Sequence, residues 1–119
     1  MYRNINYIFA IVLLAFIVAA CSSEKSIRKG DKYAAVMEYH EAAKEYKKAY
    51  RKIPPKERAK RAEVAWKMGE CYRHINYTQK ALAAYQNAVR YKIQDSTALF
   101  QLARLQLKAG QYKQAADNF

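Results

Sequence analysis

Few side chains in this chain have types and spacing that could do chemistry. Cys71 and His74 stand three apart, which on a helix would set two metal donors side by side. A structural metal site of this kind takes four ligands. The other histidine, His40, lies a whole segment upstream, so no metal is expected and Cys71 reads as a small packing residue. No Gly-rich phosphate loop, no nucleophile paired with a base and no carboxylate pair at acid–base spacing is present in the sequence. A non-catalytic chain without a cofactor is the expectation. The remaining reactive group is Cys21, which directly follows Val18, Ala19 and Ala20 at the end of an apolar run from Ile8 to Val18.

That run follows Met1, Tyr2 and Arg3, a short basic start. Its eleven unbroken apolar residues fall short of the roughly 20 that cross a hydrocarbon core, and match the core of a signal peptide. With Val18-Ala19-Ala20-Cys21 at its end, the segment resembles a bacterial lipobox. The resemblance implies a diacylglyceryl thioether on Cys21 and cleavage between Ala20 and Cys21, where small side chains let the backbone enter the peptidase. Two or three acyl chains, at about 0.8 kcal/mol per buried CH₂, would anchor the product durably. A plain signal peptide with Cys21 as a free thiol, or an uncleaved signal anchor, are the alternatives. Residues 1–20 are thus expected as a lipoprotein signal peptide and 21–26 as a lipidated cysteine with a polar Ser/Lys tether. Ser22, rather than an aspartate, follows the cysteine, which fits the outer membrane; no acidic cluster follows, which favours the periplasmic face.

Helical periodicity organises the rest. Ala65, Met68, Gly69 and Tyr72 share one face at i, i+3, i+4, i+7. After a polar break, Ala81, Leu82, Tyr85, Ala88 and Val89 form a second face. Gly30, Tyr33, Ala42, Tyr46 and Ala49 precede Gly69, Tyr72, Ala81, Tyr85 and Ala88 by a constant 39 positions, and Ala103, Ala115 and Phe119 follow Gly69, Ala81 and Tyr85 by 34. The unit resembles a tetratricopeptide repeat (TPR), a helix–turn–helix of about 34 residues. The expected fold is all-α: repeats at 23–56, 62–95 and 96–119, the last incomplete. The five extra residues are expected in the connection Pro54 to Arg61, where a surface insertion costs little. In the first repeat the helices are expected over Lys25 to Met37 and Tyr39 to Lys52, with Pro54-Pro55 stopping the second. Ser26 and Lys29, at positions usually apolar, read as the polar outer face of a terminal repeat.

The resemblance also implies a concave groove lined by the first helix of each repeat. Trp66, Arg73, Phe100 and Arg104 fall there, and aromatic and arginine side chains dominate binding hot spots. They are the expected protein-partner surface, unless Trp66 and Phe100 pack on neighbouring helices. Trp66, Glu70, Phe100 and Arg104 do not match the family's carboxylate clamp for chaperone tails. The net charge of +12 would allow contact with phosphate, but an exported chain has little access to nucleic acid, and none is expected. Lys56, Arg58, Lys60 and Arg61 could meet anionic headgroups or an acidic partner, or form a solvated loop and helix start. Lys44, Lys47, Lys48 and Arg51 with Glu41 and Glu45 read as helix-surface charges.

Lipobox, short tether and TPRs together resemble the start of Bacteroidota outer-membrane lipoproteins of the OmpA family associated with type IX secretion and gliding. That resemblance implies a membrane-anchored scaffold in an envelope complex, with peptidoglycan contact only through a C-terminal domain that this sequence lacks. An outer-membrane assembly factor and the interaction module of a larger secreted enzyme are the alternatives. The apolar Ala115, Ala116 and Phe119 at the end are expected to mark a fragment of a longer precursor.

Overall fold

The computed structural model describes residues 2–91, 96–110 and 117. Its elements are α1 (Tyr2–Ala35), α2 (Tyr39–Lys52), α3 (Arg58–His74), α4 (Thr78–Arg90) and α5 (Ser96–Lys108). Among the described residues there is no strand. The helices pack in chain order, α1 on α2, α2 on α3, α3 on α4 and α4 on α5, as expected when each helix pair buries its apolar face on its neighbours.

The ends of the helices follow from local chemistry. Ile53 precedes Pro54 and is driven into extended backbone, at φ −79° and ψ 123°, because the proline ring excludes the helical region for its predecessor. Arg51 and Lys52 close α2, and Arg73 and His74 close α3, where cations complement the carbonyl end of the helix dipole. Between α1 and α2 the chain reverses through Met37 at φ 62°, and between α3 and α4 through Asn76 at φ 60°. Both reversals use the same bonds. Glu38 N–H donates to the Tyr33 carbonyl and Tyr77 N–H to the Tyr72 carbonyl, each at 2.9 Å. Gly110, after α5, has φ 81°. Positions 37, 76 and 110 keep the spacings of 39 and 34, so the three repeats share a left-handed residue at one register.

The small and aromatic residues expected in the core are there. Ala42, Tyr46, Ala49, Ala65, Ala81, Tyr85 and Ala88 are all buried. Gly30 and Gly69 occupy equivalent crossings. A methyl group on Gly30 would lie 2.6 Å from the Tyr46 ring, and one on Gly69 2.8 Å from the Tyr85 ring. Ala103, the third member, is fully buried; its aromatic partner Phe119, with Ala115 and Ala116, lies outside the described residues.

Three expectations change. Ser22–Ser26 is not a tether: α1 runs unbroken through it, and Ser23 and Ser26 are buried. Their small side chains let α1 lie close on α2, so Ser26 is a packing residue rather than part of a polar outer face; Lys29 is exposed. The insertion divides into loop and helix. Its second half forms an extra first turn of α3, beginning at Arg58. Glu45 is not a surface charge either, being buried and held by Lys48 at 3.1 Å and Lys29 at 3.8 Å.

Residues 2–18 carry an exposed apolar surface on α1, including Phe9 at 73% and Val18 at 62%. By length and composition α1 could cross a membrane, a test that signal sequences also pass. The unbroken apolar run is short, but the polar residues before it do not interrupt the helix.

Candidate functional site

Each glycine crossing carries an acid one residue on. Gly30 is followed by Asp31 and Gly69 by Glu70. The close approach that glycine permits brings the tyrosine of the second helix across the first, where its hydroxyl reaches that acid. Tyr46 donates to Asp31 Oδ1 at 2.6 Å, and Tyr85 donates to Glu70 Oε1. A cation completes each pair from a different place. Lys67, on the next repeat, meets Asp31 at 2.9 Å. Arg73, on the same helix, meets Glu70 Oε2 at 3.0 Å.

These bonds set the ionisation of the groups. Burial works to raise the Asp31 carboxyl, but the Tyr46 hydroxyl and Lys67 outweigh it and hold it below the usual aspartate range. Burial opposes ionisation of Glu70 as well, and Arg73 with Tyr85 brings it below the usual glutamate range. Both tyrosines are pushed up, first by burial and then by the carboxylate each one faces. The arrangement fixes charge and ring position; it leaves no acid or base poised near neutrality.

The four residues expected in the groove divide. Trp66 is half-buried and leans on the Tyr85 ring, with centroids 4.8 Å apart, so it supports the crossing. Arg73 and Arg104 come together. With Asn76, Gln101, Leu105 and Lys108 they line a cleft of about 290 Å³ between α3 and α5. Phe100 is 49% exposed, and the Arg104 guanidinium lies 5.8 Å from its ring centre. The cleft therefore joins two consecutive repeats, is lined by three cations and has an aromatic ring at its edge.

Cys71 is buried, and burial pushes its thiol up to about 11, so it stays protonated and inert at neutral pH. His74 does not turn toward it. Its ring stacks on Tyr39 at 4.2 Å and 5°. Among the described residues no three His, Cys, Asp or Glu side chains gather to hold a metal.

The basic connection also divides. Arg61 lies 4.2 Å over the Tyr50 ring and 5.1 Å from the Tyr91 ring centre, and its guanidinium donates to the Ile53 carbonyl at 2.8 Å. Arg58 donates to the Arg90 carbonyl at 3.3 Å. These two arginines bind the extra turn of α3 to its neighbours. Lys56 and Lys60 turn the other way, toward α1. Cys21 is exposed on α1; the Ala19 and Ala20 side chains lie outside the described residues, and Val18 is exposed.

Sequence reading missed Asp31, Tyr46, Lys67 and Glu70 as a set. A signal for them existed. Gly30-Asp31 pairs with Tyr46, and Gly69-Glu70 with Tyr85, while the third repeat has Ala103-Arg104 with Phe119. Where the acid is lost from the sequence, the hydroxyl is lost too.

No protein-family model matches the chain, and no curated protein matches it. Among solved structures, it is similar to the C-terminal TPR-containing domain of an FK506-binding protein of Plasmodium falciparum. The TM-score is 0.71 at 18% identity, over 84% of this chain and 74% of that one. At this identity the likeness is one of fold. Together with the repeated crossings and reversals, it makes the chain an all-α, TPR-like solenoid.

Proposed function

We propose that this protein is a membrane-anchored, non-catalytic scaffold whose cleft between α3 and α5 takes an acidic segment of a partner protein. The observation that carries the reading is the convergence of Arg73 and Arg104, from consecutive repeats, with Lys108 on one cleft beside an exposed Phe100. Arginine offers planar, forked donors to a carboxylate, and an aromatic rim supplies apolar area at low entropic cost. A photo-crosslinking residue at Phe100 tests this in the native host. A discrete, identifiable adduct that an Arg104→Glu change abolishes is the expected result. Equal crosslinking from the outward-facing Arg51 would end the reading.

Anchoring is proposed through Cys21. The signal-like start, the exposed apolar surface of α1 and the small residues before Cys21 support a diacylglyceryl-modified N-terminus after cleavage at Ala20. The continuity of α1 across this point favours a second topology, in which the helix stays uncleaved and spans the bilayer. Mass spectrometry of the mature N-terminus separates them: a lipidated Cys21 supports the first, an intact residue 2 the second. Placement in the outer membrane, on its periplasmic face, and service in an envelope complex of the type IX secretion kind rest on the sequence resemblance. An outer-membrane assembly role, or attachment to a secreted enzyme, would use the same cleft.

A further inference from the structure

We infer that Lys52, Lys56 and Lys60 form a collar that seats the first repeat directly on the phosphates of an anionic phospholipid surface. The inference rests on the anchoring reading and adds an orientation to it. These three lysines, at the end of α2, in the α2–α3 connection and in the first turn of α3, converge on the stretch of α1 around Cys21. Lys52 donates to Ser22 Oγ at 2.7 Å. Lys60 meets Glu24 at 2.5 Å and Ser23 Oγ at 3.3 Å. Lys56 stands 5.8 Å from the centre of the Phe16 ring. Each is a cation beside the point where apolar helix gives way to repeat.

Geometry sets the depth. An α-helix rises about 1.5 Å per residue, so Phe16 lies roughly 7–8 Å to the membrane side of Cys21. Lys56, reaching Phe16, projects beyond the residue that would carry the acyl chains. With Ser23 buried two residues after Cys21, no slack remains between anchor and repeat. Lipid on Cys21 would therefore bring the connection into the headgroup layer. An uncleaved helix would bring it to the same level, with the lysine stem along apolar surface and its ammonium among phosphates. Lys60 neutralises Glu24, which leaves Glu57 as the acid facing that surface, beside Lys52 and Lys56. Pro54 and Glu57 share a surface depression of about 410 Å³ with Leu13, Phe16, Ile17, Lys52 and Lys56, so removal of residues 1–20 would uncover the lysines.

The test uses the full chain as it is processed in its host, reconstituted into nanodiscs of phosphatidylcholine alone or mixed with phosphatidylglycerol. Amide hydrogen exchange of residues 52–60 is the readout. Attraction to an anionic leaflet favours the docked state by roughly fivefold per lysine, so exchange should be several-fold slower in the anionic discs. The difference should vanish in a Lys52→Gln, Lys56→Gln double variant, whose changed side chains are exposed and whose circular dichroism should match the parent. Equal exchange in both lipids, or an anionic effect that survives the double variant, overturns the collar alone. A chain that enters neither disc overturns the anchoring and the collar together.

Discussion

Repeats one and two solve the same problem with one difference. Each crosses its helices at a glycine, lays a tyrosine over it and ties the hydroxyl to the next residue's carboxylate. In repeat one the balancing cation, Lys67, comes from repeat two; in repeat two it is Arg73 from the same helix. The position equivalent to Lys67 in repeat three is Gln101. An acid answered from the next repeat welds two units. An acid answered at home leaves the next junction free of that weld, and there the cleft of Arg73 and Arg104 opens. The solenoid is stitched between its first two repeats and open between its second and third.

The crossings offer the sharpest break of this comparison. Tyr85 is fully buried and backed by Trp66, so it cannot retreat from an added methyl. Tyr46 is backed by the flexible Lys67, 5.7 Å from its ring centre. Overpacking costs typically 1–3 kcal/mol, partly offset by the better helix propensity of alanine. Gly69→Ala should cost about 2 kcal/mol and Gly30→Ala about 1 kcal/mol. Urea unfolding measures both; equal stability of Gly69→Ala and parent would show that the crossing has room.

Removal of one hydroxyl should cost less. A hydrogen bond to a charged group contributes about 1.5–3 kcal/mol when well buried, and both acids here are partly solvated. Tyr85→Phe should lose about 1 kcal/mol, and Tyr46→Phe slightly less. Acid is the second probe of these bonds. Both carboxyls are held below their ordinary values, so they bind protons less readily folded than unfolded. Their stabilisation is therefore complete above about pH 4–4.5, the unfolded range, and is lost as pH falls through the lower folded values. A thermal-melting series against pH should show this loss, and Asp31→Asn with Glu70→Gln should flatten it. A parallel acid slope in the double variant would assign the effect elsewhere.

Much of this was legible in the residues. Gly30, Gly69, Tyr46 and Tyr85 announced the crossings by moving together, and apolar spacing located α2 and α4. What escaped reading was polar and buried. Ser23 and Ser26 look like tether because serine is usually exposed, yet their small volume is what a close helix pair needs. Asp31 was passed over and Glu70 was assigned to the groove, because repeat positions were judged by apolarity and register, whereas each carboxylate accepts a tyrosine hydroxyl. The aromatic and carbonyl partners of Arg58 and Arg61 that hold the extra turn of α3 helical were not legible in the sequence.

The Lys67 weld should show a smaller effect. Half-exposed ion pairs contribute below about 1 kcal/mol, so Lys67→Met should scarcely move overall stability. In a stacked array, stability is a sum of repeat and junction contributions. Loss of one junction contact should therefore appear as faster exchange in α1 and α2 relative to α3 and α4. An Arg73→Met change, acting inside one helix, should leave that ratio unchanged. The comparison fails if both variants shift it alike.

The smallest effect lies in the reversals. Met37 and Asn76 hold the same left-handed backbone, at φ 62° and 60°. A side chain there costs roughly 1–2 kcal/mol, which asparagine reduces by local hydrogen bonding. Glycine avoids the clash but loses about 0.5–1 kcal/mol of unfolded-chain freedom on folding. Met37 is 75% exposed, so little packing is lost with its side chain. Met37→Gly should therefore gain about 0.5 kcal/mol, while Asn76→Gly should change little. Gly110 shows a third repeat using glycine at this register. A Met37→Gly chain that melts below its parent would mean that the methionine side chain contributes more packing than its exposure implies.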